Sequence, residues 1–166
     1  MEIGGRMMYT VLELCGSNLL NYFHAKMEKL EDTSSKDNFI LKILKGATIS
    51  IKQLHDKDII HLDIKLDNFV IGYKSNQTQL VTRPLSKSAD IWAFGLMSYE
   101  IVHGELPNER SDLLEALESY RNNHSYNSRL DSLIKQCIAV DPNERPDIDQ
   151  ILYGINEILK REHENQ

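Results

Sequence analysis

Between two apolar runs, Ile59-Ile60 and Phe69-Val70-Ile71, the chain carries His61-Leu62-Asp63-Ile64-Lys65-Leu66-Asp67-Asn68. An imidazole, two carboxylates, an ammonium and a carboxamide so close together offer proton acceptors, a fixed positive charge and oxygen donors suited to a hard cation. Four fixed residues, His61, Asp63, Lys65 and Asn68, each drawn at about one in twenty, would recur by chance in roughly one chain per thousand of this size. The cysteines carry no comparable pattern. Cys15 and Cys137 are far apart, without a CxxC or a suitably spaced His, so neither a zinc site nor a disulfide framework is expected. Reduced thiols in cytosol or nucleus fit this count best. His24, His55, His103, His124 and His163 are scattered, and Tyr120 to Tyr126 reads as a solvated connector.

Two further segments stand out. Ser88-Ala89-Asp90-Ile91-Trp92-Ala93-Phe94-Gly95 sets one carboxylate in an otherwise apolar run, and Asp141-Pro142-Asn143-Glu144-Arg145-Pro146 places an arginine between two prolines. The whole sequence has 166 residues, 41% hydrophobic and 27% charged, with a net charge of −6. Those values describe one ordinary globular domain rather than a disordered, collagen-like or disulfide-stapled chain. The negative charge is the wrong sign for neutralising nucleic-acid phosphates, so no nucleic-acid partner is expected. No apolar run approaches the roughly 20 residues that span a bilayer, and nothing near Met1 reads as a signal peptide, so no membrane partner is expected either.

The elements that must position these groups are mainly helical. Met7 to Cys15 is β-branched and aromatic enough for a strand, ending in the turn Gly16-Ser17-Asn18. Helical periodicity follows over Leu19 to Leu30, a polar break over Glu31 to Ser35, and a long helix from Asp37 to about His55–Asp58. A helix capped by Ser86 or Ser88, apolar almost all round and therefore central, ends at Gly104. Three more are predicted over Ser111 to Asn122, Ser128 to Ala139 and Asp147 to Arg161.

The segment His61 to Asn68 resembles the catalytic loop of the protein kinase family, H-R-D-x-K-x-x-N. Ser88 to Gly95 resembles that family's large central helix, and Asp141 to Pro146 its late D-P-x-x-R-P segment, in the same order. Leu12-Glu13-Leu14-Cys15 is similar to the hinge, with Leu12 at the gatekeeper position. The resemblance is strongest to the Ser/Thr branch. It implies a mainly α fold: a kinase-like C-terminal lobe with a short N-terminal hinge strand and a catalytic-loop hairpin, the N-terminal lobe being absent. The expected single domain, 1–166, divides into hinge strand 1–16, helices 17–58, catalytic loop 59–72, a shortened activation-segment region 73–87 and C-lobe helices 88–161. By resemblance Asp63 is the catalytic proton acceptor, Lys65 neutralises the transferred phosphoryl group, Asn68 binds magnesium, and the hinge at Glu13 and Cys15 holds adenine. His61, Asp90, Trp92 and Arg145 take structural roles: His61 as core beneath the loop, Asp90 as acceptor for loop amides. ATP and Mg²⁺ are the implied cofactors.

The sequence also departs from the family. Before the hinge there is no G-x-G-x-x-G loop and no Val-Ala-Ile-Lys strand, and the first lysine is Lys26. From Phe69 to Ala89 there is not one Asp or Glu, so the carboxylate of the Asp-Phe-Gly motif has no candidate. Leu62 stands where the family has arginine, and Arg145 lacks the Glu that pairs with it in relatives, so local rearrangement around Arg145 is expected. The favoured expectation is a catalytically incomplete domain acting as a binding or regulatory module. Its partner would be a protein, another kinase's small lobe being one candidate. The alternative is an ATP-dependent Ser/Thr protein kinase whose missing parts come from a longer gene product or in trans. The blandest reading is a remnant with neither role.

Overall fold

Several of the helices begin where a side chain replaces a missing backbone acceptor. The computed structural model describes residues 18–69 and 86–164. The predicted hinge strand, with Glu13 and Cys15, and the segment 70–85 lie outside the described residues. Asn18 opens α1 (Leu19–Met27), its side chain accepting from the Asn21 amide at 2.9 Å. The helix stops short of the predicted Leu30 because the chain turns there, with the Leu30 amide on the Met27 carbonyl at 3.3 Å. Asp32 then caps α2 (Thr33–His55), accepting from the Ser35 amide at 2.7 Å. The predicted polar break at 31–35 is thus mostly the first turn of α2, because one well-placed carboxylate outweighs poor local helix propensity.

The remaining helices are α3 (Lys87–His103), α4 (Arg110–Asn122), α5 (Arg129–Cys137) and α6 (Ile148–Glu164). The α5 start is a reciprocal capping box: Ser128 Oγ accepts from the Asp131 amide at 2.9 Å, and the Ser128 amide donates to Asp131 Oδ2 at 3.2 Å. Gly104, at φ 98°, closes α3 and donates its amide to the Glu100 carbonyl at 3.0 Å. No strand occurs among the described residues. The described part of the expected catalytic-loop hairpin, residues 59–69, is open backbone with one 3-10 turn, Leu66–Asn68, tied to α1 by the Leu19 amide on the Phe69 carbonyl at 2.8 Å.

The central position expected for α3 holds. Asp90, Ile91, Phe94, Gly95, Met97, Ser98 and Ile101 are all buried. One apolar cluster joins α1, α2, the loop residues Ile64 and Leu66, α3, α5 and α6; a second joins α4 to the end of α5 through Leu117, Tyr120, Ile134 and Ile138, with Trp92, Leu96 and Tyr99 of α3 packed against it. α2 packs mainly on α6 and α3 on α5. No helix among the described residues is long and apolar enough to cross a membrane.

Candidate functional site

The loop from Ile59 to Phe69 alternates between anchors and exposed polar groups. Ile64 and Leu66 are buried in the main core, while Asp63, Lys65, Asp67 and Asn68 face out. Two burials one residue apart force the side chains between and beside them outward, and this pattern sets the reactive groups on one surface.

Asp90 holds the loop from beneath. Its side chain is fully buried, and Oδ2 accepts from the His61 amide at 2.8 Å while Oδ1 accepts from the Leu62 amide at 2.7 Å. His55 Nε2 lies 2.9 Å from Oδ2. Burial pushes the Asp90 carboxyl up, but the hydrogen bonds from His55, His61 and Leu62 outweigh it and hold the group below the ordinary carboxylate range. To present its amide, Leu62 adopts φ 66°, the left-handed region that a branched side chain rarely enters. Lys87 braces the same corner, donating to the His55 carbonyl at 2.6 Å and to Asp58 Oδ1 at 2.7 Å.

Histidine 61 is not the core residue expected from the sequence. Its side chain is exposed, and Nδ1 accepts from the Asp63 amide at 3.2 Å. The interior place beside Asp90 is taken by His55, one of the histidines read as scattered. Its signal was its position: it lies four residues after the buried Ile51 on the inner face of α2.

Asp63, Lys65 and Asn68 do come together. Asn68 Nδ2 donates to Asp63 Oδ2 at 2.6 Å and to the Asp63 carbonyl at 2.8 Å, and Lys65 Nζ lies 3.5 Å from the same Oδ2. The cluster is open to solvent, Lys65 being 53% and Asp63 64% exposed. Beside it a cavity of about 670 Å³ is lined in part by Leu20, Phe23, Ile101, Lys65, Asp67 and Glu100.

Trp92 and Arg145 form a separate brace. The guanidinium sits 4.7 Å from the centre of the indole and donates through Nε to the Ala139 carbonyl at 2.9 Å and through a terminal nitrogen to the Ser88 carbonyl at 2.9 Å. The rearrangement expected at Arg145 is therefore a stack on Trp92 with backbone carbonyls as acceptors.

A nucleotide-bound Mg²⁺ needs several oxygen ligands, with carboxylates among them. Phe69 to Ala89 contains no Asp or Glu, and no group of three His, Cys, Asp or Glu side chains able to hold a metal occurs among the described residues. The donor set therefore does not fit such a cation.

The family model for protein tyrosine and serine/threonine kinases matches residues 76–155. The chain is 27% identical to the serine/threonine-protein kinase AKL1 of Saccharomyces cerevisiae, over 92% of its own length and 18% of that protein's. It is 26% identical to the serine/threonine-protein kinase MPS1 of Encephalitozoon cuniculi, over 80% of the chain and 30% of the relative. It is also 26% identical to the inactive serine/threonine-protein kinase PLK5 of Mus musculus, over 87% and 29%. The chain thus spans less than a third of the length of each of these relatives.

Proposed function

The chain belongs to the eukaryotic-type protein kinase family and covers part of its domain, and from that premise we propose that it works as a binding or regulatory module with an incomplete set of groups for phosphoryl transfer. Family members in general use ATP and Mg²⁺. In phosphoryl transfer the protein supplies mostly position and positive charge, so losing the metal-holding carboxylate removes much of the catalytic power. The observation that carries this reading is the carboxylate-free stretch from Phe69 to Ala89 directly after Asn68. A relative named as inactive, PLK5, is consistent with it. The partner we propose is a protein, docking at the cavity between α1, the loop and the end of α3.

A second reading, ATP-dependent transfer to protein hydroxyls, is favoured by one observation. Asp63, Lys65 and Asn68 remain gathered on a loop whose amides Asp90 holds. There Asp63 would accept the hydroxyl proton, Lys65 would face the phosphoryl group, and Glu13 and Cys15 would meet adenine.

Thermal unfolding with and without ATP and Mg²⁺ separates the two. The module reading expects a cooperative melt with an unchanged midpoint. Ligand at 100 times its dissociation constant adds about 2.7 kcal/mol, worth roughly 5 to 11 °C at this size. A shift of that size, abolished by Asn68→Ala, together with phosphate transfer lost in Asp63→Ala, would overturn it.

A further inference from the structure

We infer that His103 is a proton-operated clasp between the end of α3, α4 and α5, one that tightens as the pH falls from 8 to 6; it goes beyond the module reading and does not depend on it. His103 is the last residue of α3, and its Nε2 lies 2.7 Å from Asp131 Oδ1, an oxygen that also accepts from the Tyr120 hydroxyl at 2.8 Å. The other carboxylate oxygen accepts from Ser128 Oγ at 2.6 Å and from the Ser128 amide at 3.2 Å. Surrounded by donors, Asp131 meets the ring as a carboxylate, so Nε2 carries the hydrogen between them. Nδ1 has no hydrogen-bond partner among the described residues, and a second proton can enter there without displacing a bond. The bond to Asp131 then becomes one between two ions, about twice as strong as its neutral counterpart.

The surroundings favour the ion pair. Three phenol rings pack around the imidazole, with centroids 5.1 Å away at Tyr99 of α3, 5.2 Å at Tyr120 of α4 and 4.8 Å at Tyr126 of the α4–α5 connector. Tyr120, at the start of the segment that reads as a solvated connector, is buried. The rings leave the His103 side chain 16% and the Asp131 side chain 9% exposed, so water screens the pair less than it screens a surface pair. The opposing cation is Lys135 of α5. Its ammonium sits 5.2 Å from the centre of the Tyr120 ring and is held by the Asn123 and Tyr126 carbonyls at 2.8 and 2.7 Å, without an ion pair to Asp131. Histidine is the side chain that ordinarily changes charge between pH 5 and 8. A proton bound more tightly in the folded than in the unfolded chain adds stability that is present at the acid end of this window and lost as pH rises.

Urea unfolding of the full chain at pH 6 and pH 8, with and without His103→Gln, tests the clasp. Glutamine keeps an N–H for Asp131 and takes up no proton, and comparing variant with parent cancels the other titrating groups. The substitution is expected to raise the unfolding constant at pH 6 by roughly threefold or more beyond its effect at pH 8, the gap between a neutral and a charged hydrogen bond. Asp131→Asn, which removes the carboxylate charge, should erase the same difference. A His103 that merely packs would cost the same at both pH values, and that result would overturn the clasp. The ring nitrogen signals of the unaltered chain give a second reading that needs no variant. At pH 8 they should show the neutral form with hydrogen on Nε2, and at pH 6 the imidazolium with hydrogen on both nitrogens. A ring still neutral at pH 6, or one carrying its hydrogen on Nδ1 at pH 8, would overturn the clasp as well.

Discussion

A buried carboxylate survives only among donors, and Asp90 has three of them: two loop amides and the His55 ring. Asp90→Ala leaves those donors without an acceptor in the interior and is expected to cost about 3 to 5 kcal/mol in urea unfolding; a loss below roughly 1 kcal/mol would mean that the loop is held by something else. Protonation acts on the same residue. Asp131 is also held below the ordinary range, because hydrogen bonds from Ser128, Tyr120 and His103 outweigh the upward push of burial. Both carboxyls bind protons more weakly folded than unfolded, so acid favours the unfolded chain. The stability they contribute is present above the unfolded carboxylate value of about 3.9 and is lost as pH falls through the lower folded values. Midpoints measured from pH 6 down to pH 2 should fall on the acid side, and the slope should flatten in a chain carrying Asp131→Asn. At this scale the sequence disclosed Asp63, Lys65, Asn68 and Asp90, whose types and spacing are distinctive. It did not disclose which histidine turns inward, since His55 and His61 differ only in the backbone that carries them: one sits on a helix face, the other in a loop that presents its amide instead of its ring.

Helix positions follow from periodicity, but close approach between helices does not. A Cβ on Gly95 of α3 would lie 2.7 Å from Ile138 Cγ2 and 2.8 Å from Cys137 Cβ, atoms tied to the backbone at the end of α5. Gly95→Ala is therefore expected to destabilise by about 1 to 3 kcal/mol through overpacking. Gly46 in α2 has nothing within 4 Å of the same added atom, so Gly46→Ala should stabilise by about 0.5 to 1 kcal/mol, the ordinary gain in a helix interior. Opposite signs for one substitution in two helices, read by thermal unfolding, test the packing; equal signs would contradict it. The two glycines look alike in the sequence because the distinction arises from which residue of another helix lies opposite. The helix starts show the same limit. The start of α5 near Ser128 was legible, whereas Asp32 lay in a stretch whose polar composition masked a competent cap. The central helix was the easiest element to place, since an apolar surface on all sides has no stable position outside a core.

Across the whole molecule the question is whether the loop and the distal α4 corner share one cooperative unit. The main cluster holds loop residues Ile64 and Leu66 together with Ile148, Ile151 and Ile155 of α6, while Leu117 and Tyr120 of α4 belong to the second cluster. Val102 and Leu130 pack against both clusters, and Cys137 of the first is followed directly by Ile138 of the second. With such shared walls neither core can open without exposing the other's apolar surface, so a single transition is expected. Ile151→Ala and Leu117→Ala each empty a fully buried position and should each cost about 2 to 5 kcal/mol. Hydrogen exchange at the His61 and Leu62 amides, which Asp90 sequesters, reads the consequence at the loop. If the molecule opens as one body, each variant lowers protection at those two amides by its own loss of global stability, although Leu117 belongs to a different cluster from the loop anchors. If Leu117→Ala left loop protection intact while amides in α4 exchanged faster, the α4 corner would be a separate unit, able to open while the loop stays set on Asp90.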